Sequence, residues 1–190
     1  MENFNDYYLG EAKRIIDCID RDKINAAIGM LLDAHKKNRQ IFVIGNGGSA
    51  STAAHFANDL SKFCNVEGKK RFRVISLADN VSTITALAND IGYDKIFSEQ
   101  LLNLVNNGDV LIALTASGNS PNIIEAVKTA KQHGAQVLAF LGFNGGKIKG
   151  MADCYILAEY DDFGLVEGIH LILEHLIVNA VRKRLIDEAK

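Results

Sequence analysis

Proline occurs once in the 190 residues, at Pro121, and cysteine only at Cys18, Cys64 and Cys154, far apart and with no CxxC pair. That spacing offers neither a disulfide framework nor a thiolate zinc site, and it suits a reducing compartment. Charge of one sign is also missing: 21 basic against 23 acidic side chains leave a formal net charge of −2. A balance of this kind gives no electrostatic reason to expect nucleic acid or an anionic membrane as a direct partner. Residues 1–10 carry acids and tyrosines instead of a basic and then apolar signal, and no apolar run approaches the length needed to cross a bilayer, so a cytoplasmic location without a membrane partner is expected. What is present, 48% hydrophobic and 23% charged residues, suits an ordinary globular chain of one domain spanning 1–190.

The first 37 residues carry two helical stripes, Tyr8, Ala12, Ile15, Ile16 and Ile19, then Ile24, Ile28, Leu31 and Leu32, which predict a helical packing arm belonging to the same domain. Short β-rich runs follow at Ile41–Ile44, Phe72–Leu77, Val110–Leu114, Val137–Leu141 and Cys154–Leu157, separated by helical patterns. Such alternation predicts an α/β fold, a doubly wound parallel five-stranded sheet flanked by helices, and such sheets bind ligands at the carboxyl ends of their strands. A long helix is expected over about 164–189, its middle apolar nearly all round; a subunit interface and a plain buried core helix explain that equally well.

Two loops carry the functional signal. Gly45-Asn46-Gly47-Gly48-Ser49-Ala50 leaves a strand and enters a helical pattern, where glycines let the backbone approach an oxyanion and the helix offers free N–H groups. Ser49 is the N-cap candidate. The letters also satisfy a dinucleotide fingerprint, but that site wants an acid about 20 residues on, and Asp79 arrives about ten residues late. A merely structural tight turn is the other alternative. The second loop, Thr115-Ala116-Ser117-Gly118-Asn119-Ser120-Pro121, gathers three hydroxyls before a helix that Ser120 can cap and Pro121 can begin.

His55 and Asp59 stand four apart on the helix that leaves the first loop, so both side chains share one face about 5–6 Å apart, and an ordinary surface pair has the same spacing. Glu167 and His175 lie farther apart, ~12 Å along a helix and ~80° around it, and meet only if both extend to one point or come from different subunits. By itself Glu167 reads as a first-turn acid helping the helix dipole, His175 as a buried or interface histidine, and His170 as a core or interface residue.

Gly45-Asn46-Gly47-Gly48-Ser49 with His55-Phe56-Ala57, then Ala88-Asn89-Asp90-Ile91-Gly92-Tyr93, Phe97-Ser98, Ser117-Gly118-Asn119-Ser120, and finally Ile169-His170 with His175, resemble the SIS family of phosphosugar isomerases and phosphosugar-binding domains, in its sedoheptulose 7-phosphate isomerase branch. The resemblance runs over essentially the whole chain. It implies a homotetramer with active sites at subunit contacts, one zinc ion per subunit, and conversion of sedoheptulose 7-phosphate to D-glycero-D-manno-heptose 7-phosphate for glycan heptose.

Carried over position by position, the resemblance implies that Asn46, Gly47, Gly48, Ser49, Asn89 and Asp90 touch the sugar phosphate and that Thr115, Ala116, Ser117 and Ser120 hold its phosphate. It implies that His55, Asp59, Glu167 and His175 bind the metal, with Asp59 and His175 as the catalytic base and its acid partner and Asp59 and Glu167 also meeting substrate. The chain departs from the family's pattern at Asp59, where glutamate is usual, at Glu167, where glutamine is usual, and at Thr115 and Ala116, where serine and threonine are usual. Two other functions fit the same resemblance: a non-catalytic phosphosugar sensor or tetrameric adaptor for a replication initiator, and an isomerase of another ketose phosphate. A histidine and a carboxylate kept at both metal-matching clusters favour the enzyme.

Overall fold

The computed structural model describes residues 3–189. The chain runs α1 (Phe4–Cys18), α2 (Arg21–Lys36), β1 (Gln40–Ile44), α3 (Gly48–Asn58), β2 (Arg73–Ser76), α4 (Val81–Asp90), α5 (Ser98–Leu104), β3 (Val110–Thr115), α6 (Pro121–Gln132), β4 (Gln136–Gly142), β5 (Cys154–Ala158) and α7 (Phe163–Asp187). Short helical turns join some of them, among them a π-helical turn, Asp59–Phe63, directly continuing α3.

Every strand falls within one or two residues of its sequence expectation, because each is a run of β-branched and aromatic residues closed by glycine or polar residues. The five strands are all parallel in the order β2-β1-β3-β4-β5. That order reverses direction between β1 and β3, and a doubly wound sheet opens a crevice beyond the strand ends at such a point. β3 and β4 are buried along almost their whole length, as strands covered on both faces must be.

One layer of core lies between the sheet and α1, α2, α3 and α7, with Ile28, Leu31, Phe56, Phe140 and Ile177 at its centre; the other lies beneath α5 and α6, around Phe42, Phe97 and Ile123. The expected arm is therefore a layer of the domain. α2 in particular buries Ile24, Ile28 and Leu31 against β5 and α7.

By length and composition alone α7 could cross a membrane, contrary to the expectation that no apolar run comes near that length. Its buried face, Leu165, Val166, Ile169, Leu173, Ile177 and Val181, packs on α2, α3 and β4, which makes it the core helix of the domain. Ile172 and Leu176, on the opposite side, are exposed.

Candidate functional site

The two glycine-containing loops follow β1 and β3, the neighbouring strands that flank the reversal of strand order. Leaving β1, the chain turns at Gly47, whose φ of 54° and ψ of −122° are closed to residues with a Cβ, and enters α3 at Gly48. The turn is so abrupt that Gly47 holds the N-cap position. Ser49, the expected cap, is instead buried within the first turn of α3.

Across the crevice, Ser120 occupies the N-cap position of α6 and Pro121 begins it, but the Ser120 side chain makes no capping hydrogen bond. The Gly118 N–H donates to Thr115 Oγ1 at 3.2 Å, and the Asn119 N–H to Ser117 Oγ at 3.2 Å. Both hydroxyls thus act as acceptors inside the loop, which leaves their own O–H free to donate outward. Asn46, Ser49, Thr115, Ala116, Ser117, Ser120 and Glu167 line a cavity of ≈ 80 Å³, with Phe163 and Leu114 completing the lining. A single water needs about 10–15 Å³ by the same kind of measure, so the cavity has room for a tetrahedral anion. A larger cavity, ≈ 620 Å³, between α1 and the loops after β4 and β5 contains none of these groups.

Glu167 is one of the surprises. With α7 beginning at Phe163 it stands beyond the first turn, and Asp162 caps the helix by accepting from the Leu165 N–H at 2.8 Å. The Glu167 carboxylate rests against Gly48, so closely that a Cβ there would overlap it. A side chain at position 48 would therefore displace the Glu167 carboxylate, which sits where the N-terminus of α3 favours negative charge.

Asn46 is held by Asn122: each amide donates to the other's carbonyl, at 2.9 and 2.8 Å, and Tyr93 Oη–H adds a third bond to Asn46 Oδ1 at 3.1 Å. Asn122 was not among the expected site residues; the only signal was an amide in the first turn of α6, at a position that proves 2% exposed. Asn89 and Asp90 lie exposed at the end of α4, where Asn89 Nδ2 donates to Asp90 Oδ1 at 2.7 Å, and they do not line the cavity.

A second group forms where the end of α3 meets the middle of α7. His55 Nε2 lies 3.2 Å from His175 Nε2 and 3.6 Å from Asp59 Oδ2. The π-helical turn that starts at Asp59 re-aims the backbone here, a distortion that tends to occur at functional sites. Glu167 is not part of this group. Glu174 is, its Oε2 3.5 Å from His175 Nε2, and the ligand atoms of His55, Asp59, Glu174 and His175 all lie within 4.8 Å of one another. Glu174 is wholly buried with neither oxygen hydrogen-bonded, and burial together with the nearby Asp59 charge pushes its carboxyl up to about 7. Burial, and secondarily Asp59, also pushes the neighbouring Cys64 thiol up to about 12, and Cys64 lies outside the group of four. His170 is a core residue: its Nε2–H donates to the Leu141 carbonyl at 3.1 Å, and burial lowers its pKa to about 4.

Residues 7–142 match the family model of the SIS domain. A protein of Thermoplasma acidophilum described as a "probable phosphoheptose isomerase" is 37% identical over 170 residues, covering 90% of this chain and 93% of that one. The phosphoheptose isomerase of Helicobacter pylori strain P12 is 34% identical over 163 residues, covering 86% and 84%. Among solved structures, the phosphoheptose isomerase of Neisseria gonorrhoeae superposes with a TM-score of 0.82 at 30% identity, over 93% of this chain and 92% of that one. Agreement of this extent in both sequence and fold, with the two loops standing at the sheet's reversal point, means that the chain belongs to the SIS domain family, on its phosphoheptose isomerase branch.

Proposed function

We propose that this chain is an aldose–ketose isomerase that interconverts sedoheptulose 7-phosphate and D-glycero-D-manno-heptose 7-phosphate for heptose synthesis. The observation that carries the reading is the pair of loops at the β1–β3 crevice, whose unspent hydroxyls and cavity suit a phosphate, on a chain more than 30% identical to phosphoheptose isomerases. Thr115, Ser117 and Ser120 donate to the phosphate. The cavity takes the phosphate end only, so the sugar extends out past Asn46 and Glu167.

Isomerisation removes the C1 proton of the ketose, passes through an enediol and returns a proton to C2, while the hydroxyl proton on O1 leaves and one is gained on O2. That requires a base, an acid and stabilisation of an oxyanion. Asp59 is assigned the carbon-bound proton and His175 the oxygen-bound ones; His175 is about half exposed, and the two side chains belong to one cluster. His55, Asp59 and His175 have the donor set of a zinc site, and zinc bound there supplies Lewis-acid polarisation of the sugar carbonyl.

Three free cysteines accord with a cytoplasmic location. The exposed apolar residues of α7, Ile172 and Leu176, together with Phe163 beside the cavity, support a homotetramer in which a second subunit covers this face.

The test follows aldose formation from sedoheptulose 7-phosphate with and without added zinc, beside a panel of other ketose phosphates. Turnover of the heptulose above the panel is expected, and Asp59→Asn and His175→Ala should each lower kcat by at least ~10²-fold while sugar phosphate still binds. Full turnover in both variants would remove the assigned roles, and no turnover of any ketose phosphate by the parent protein would remove the isomerase.

A further inference from the structure

Glu174 presents a problem that the isomerase chemistry does not absorb. A carboxylate with no exposed surface and no hydrogen bond to either oxygen sits in the apolar middle of α7, between Leu173 and Ile177 on the core side. An ionised group in that state is costly unless a counter-charge meets it. No lysine or arginine does so among the described ion pairs; its neighbours are His175 and, farther off, Asp59.

We infer that Glu174 is the fourth protein ligand of the divalent cation held by His55, Asp59 and His175, closing the site from the core side, with Glu167 left to the substrate cavity. The inference rests on the proposed metal-dependent reading of the cluster and extends it to a residue outside the family's metal positions.

The separations support a tetrahedral shell. Bonds of about 2.0–2.2 Å from zinc to nitrogen or oxygen place tetrahedral ligands about 3.3–3.6 Å from one another. Three of the six edges are near that length, 3.2 Å for His55–His175, 3.6 Å for His55–Asp59 and 3.5 Å for His175–Glu174, and all six lie within 4.8 Å, so a modest inward movement of the side chains closes the shell. Two imidazoles and two carboxylates also neutralise a doubly charged ion, which accounts for a buried carboxylate with no other partner. The two histidines are open to solvent and Glu174 is closed to it, so the cation has an exposed side toward substrate and an anchored side toward the core.

Zinc affinity of the purified full-length protein, measured by competition with a chromophoric chelator, tests the assignment alongside melting curves with and without zinc. The parent protein should bind one zinc per chain. Glu174→Gln should bind at least tenfold more weakly, whereas Glu167→Gln should stay within about twofold of the parent. Glu174→Leu should melt higher than the metal-free parent, because an unpaired buried charge is gone, and should lose the rise in Tm that zinc gives the parent. That gain separates lost ligation from misfolding. Parent-like zinc affinity in Glu174→Gln, an equal loss in Glu167→Gln, or no zinc binding by the parent would each overturn the assignment. Turnover of sedoheptulose 7-phosphate by the same metal-stripped and zinc-loaded samples reports on the isomerase reading separately.

Discussion

Single residues divide here into those whose chemistry follows from their neighbours in sequence and those whose chemistry depends on burial. Pro121 belongs to the first kind, opening α6 where its missing N–H costs nothing. His170 belongs to the second. Its folded pKa, lowered to about 4 by burial, lies below the unfolded value near 6.5, so between those limits the unfolded chain binds more protons than the folded one. Stability therefore falls as pH drops through that window and is unaffected by this group above it. Denaturant unfolding near pH 5 should show about 2 kcal/mol less stability than near pH 7 from His170 alone. The check is His170→Gln, which should lack that part of the pH dependence. An equal slope in parent and variant would mean that His170 is not held neutral.

The glycine-rich turn shows what an element asks of the chain. The backbone of Gly47 is a requirement for entering α3, whereas the missing Cβ of Gly48 leaves the Glu167 carboxylate its place. Gly47→Ala should cost about 1–3 kcal/mol in unfolding measurements, the price of a strained backbone. At this scale the sequence was legible: all five strands, both N-terminal helices and the long α7 sit where periodicity and glycine placement put them. The π-helical turn at Asp59 was not, since nothing in Asp59-Leu60-Ser61-Lys62-Phe63 distinguishes it from continued α-helix. Packing of Leu60 and Cys64 beneath α7 accompanies that change of pitch.

For the molecule as a whole, the composition of α7 left two explanations, a core helix and a subunit interface, and the structure shows a core face together with an exposed apolar one. Leu165, Val166, Ile169, Leu173 and Ile177 are core; Ile172 and Leu176 remain outside it. If the outer face is the tetramer contact, Ile172→Glu combined with Leu176→Glu should convert a tetramer to smaller species in light scattering without lowering the helical signal. A parent protein that is already monomeric would refute the proposed assembly.

Local pattern was enough to determine the parallel strands and the two small-residue loops that follow β1 and β3, because strand period and glycine turns act over a few residues. Only the tertiary structure decided which side chains meet. Asn46 and Asn122 join across 76 positions, and His55 and His175 across 120. Glu167 and Glu174, seven residues apart on one helix, go to different places because α7 spans from the mouth of the loops to the end of α3. How α7 lies across α3 is set by core packing, and no spacing along the chain encodes it.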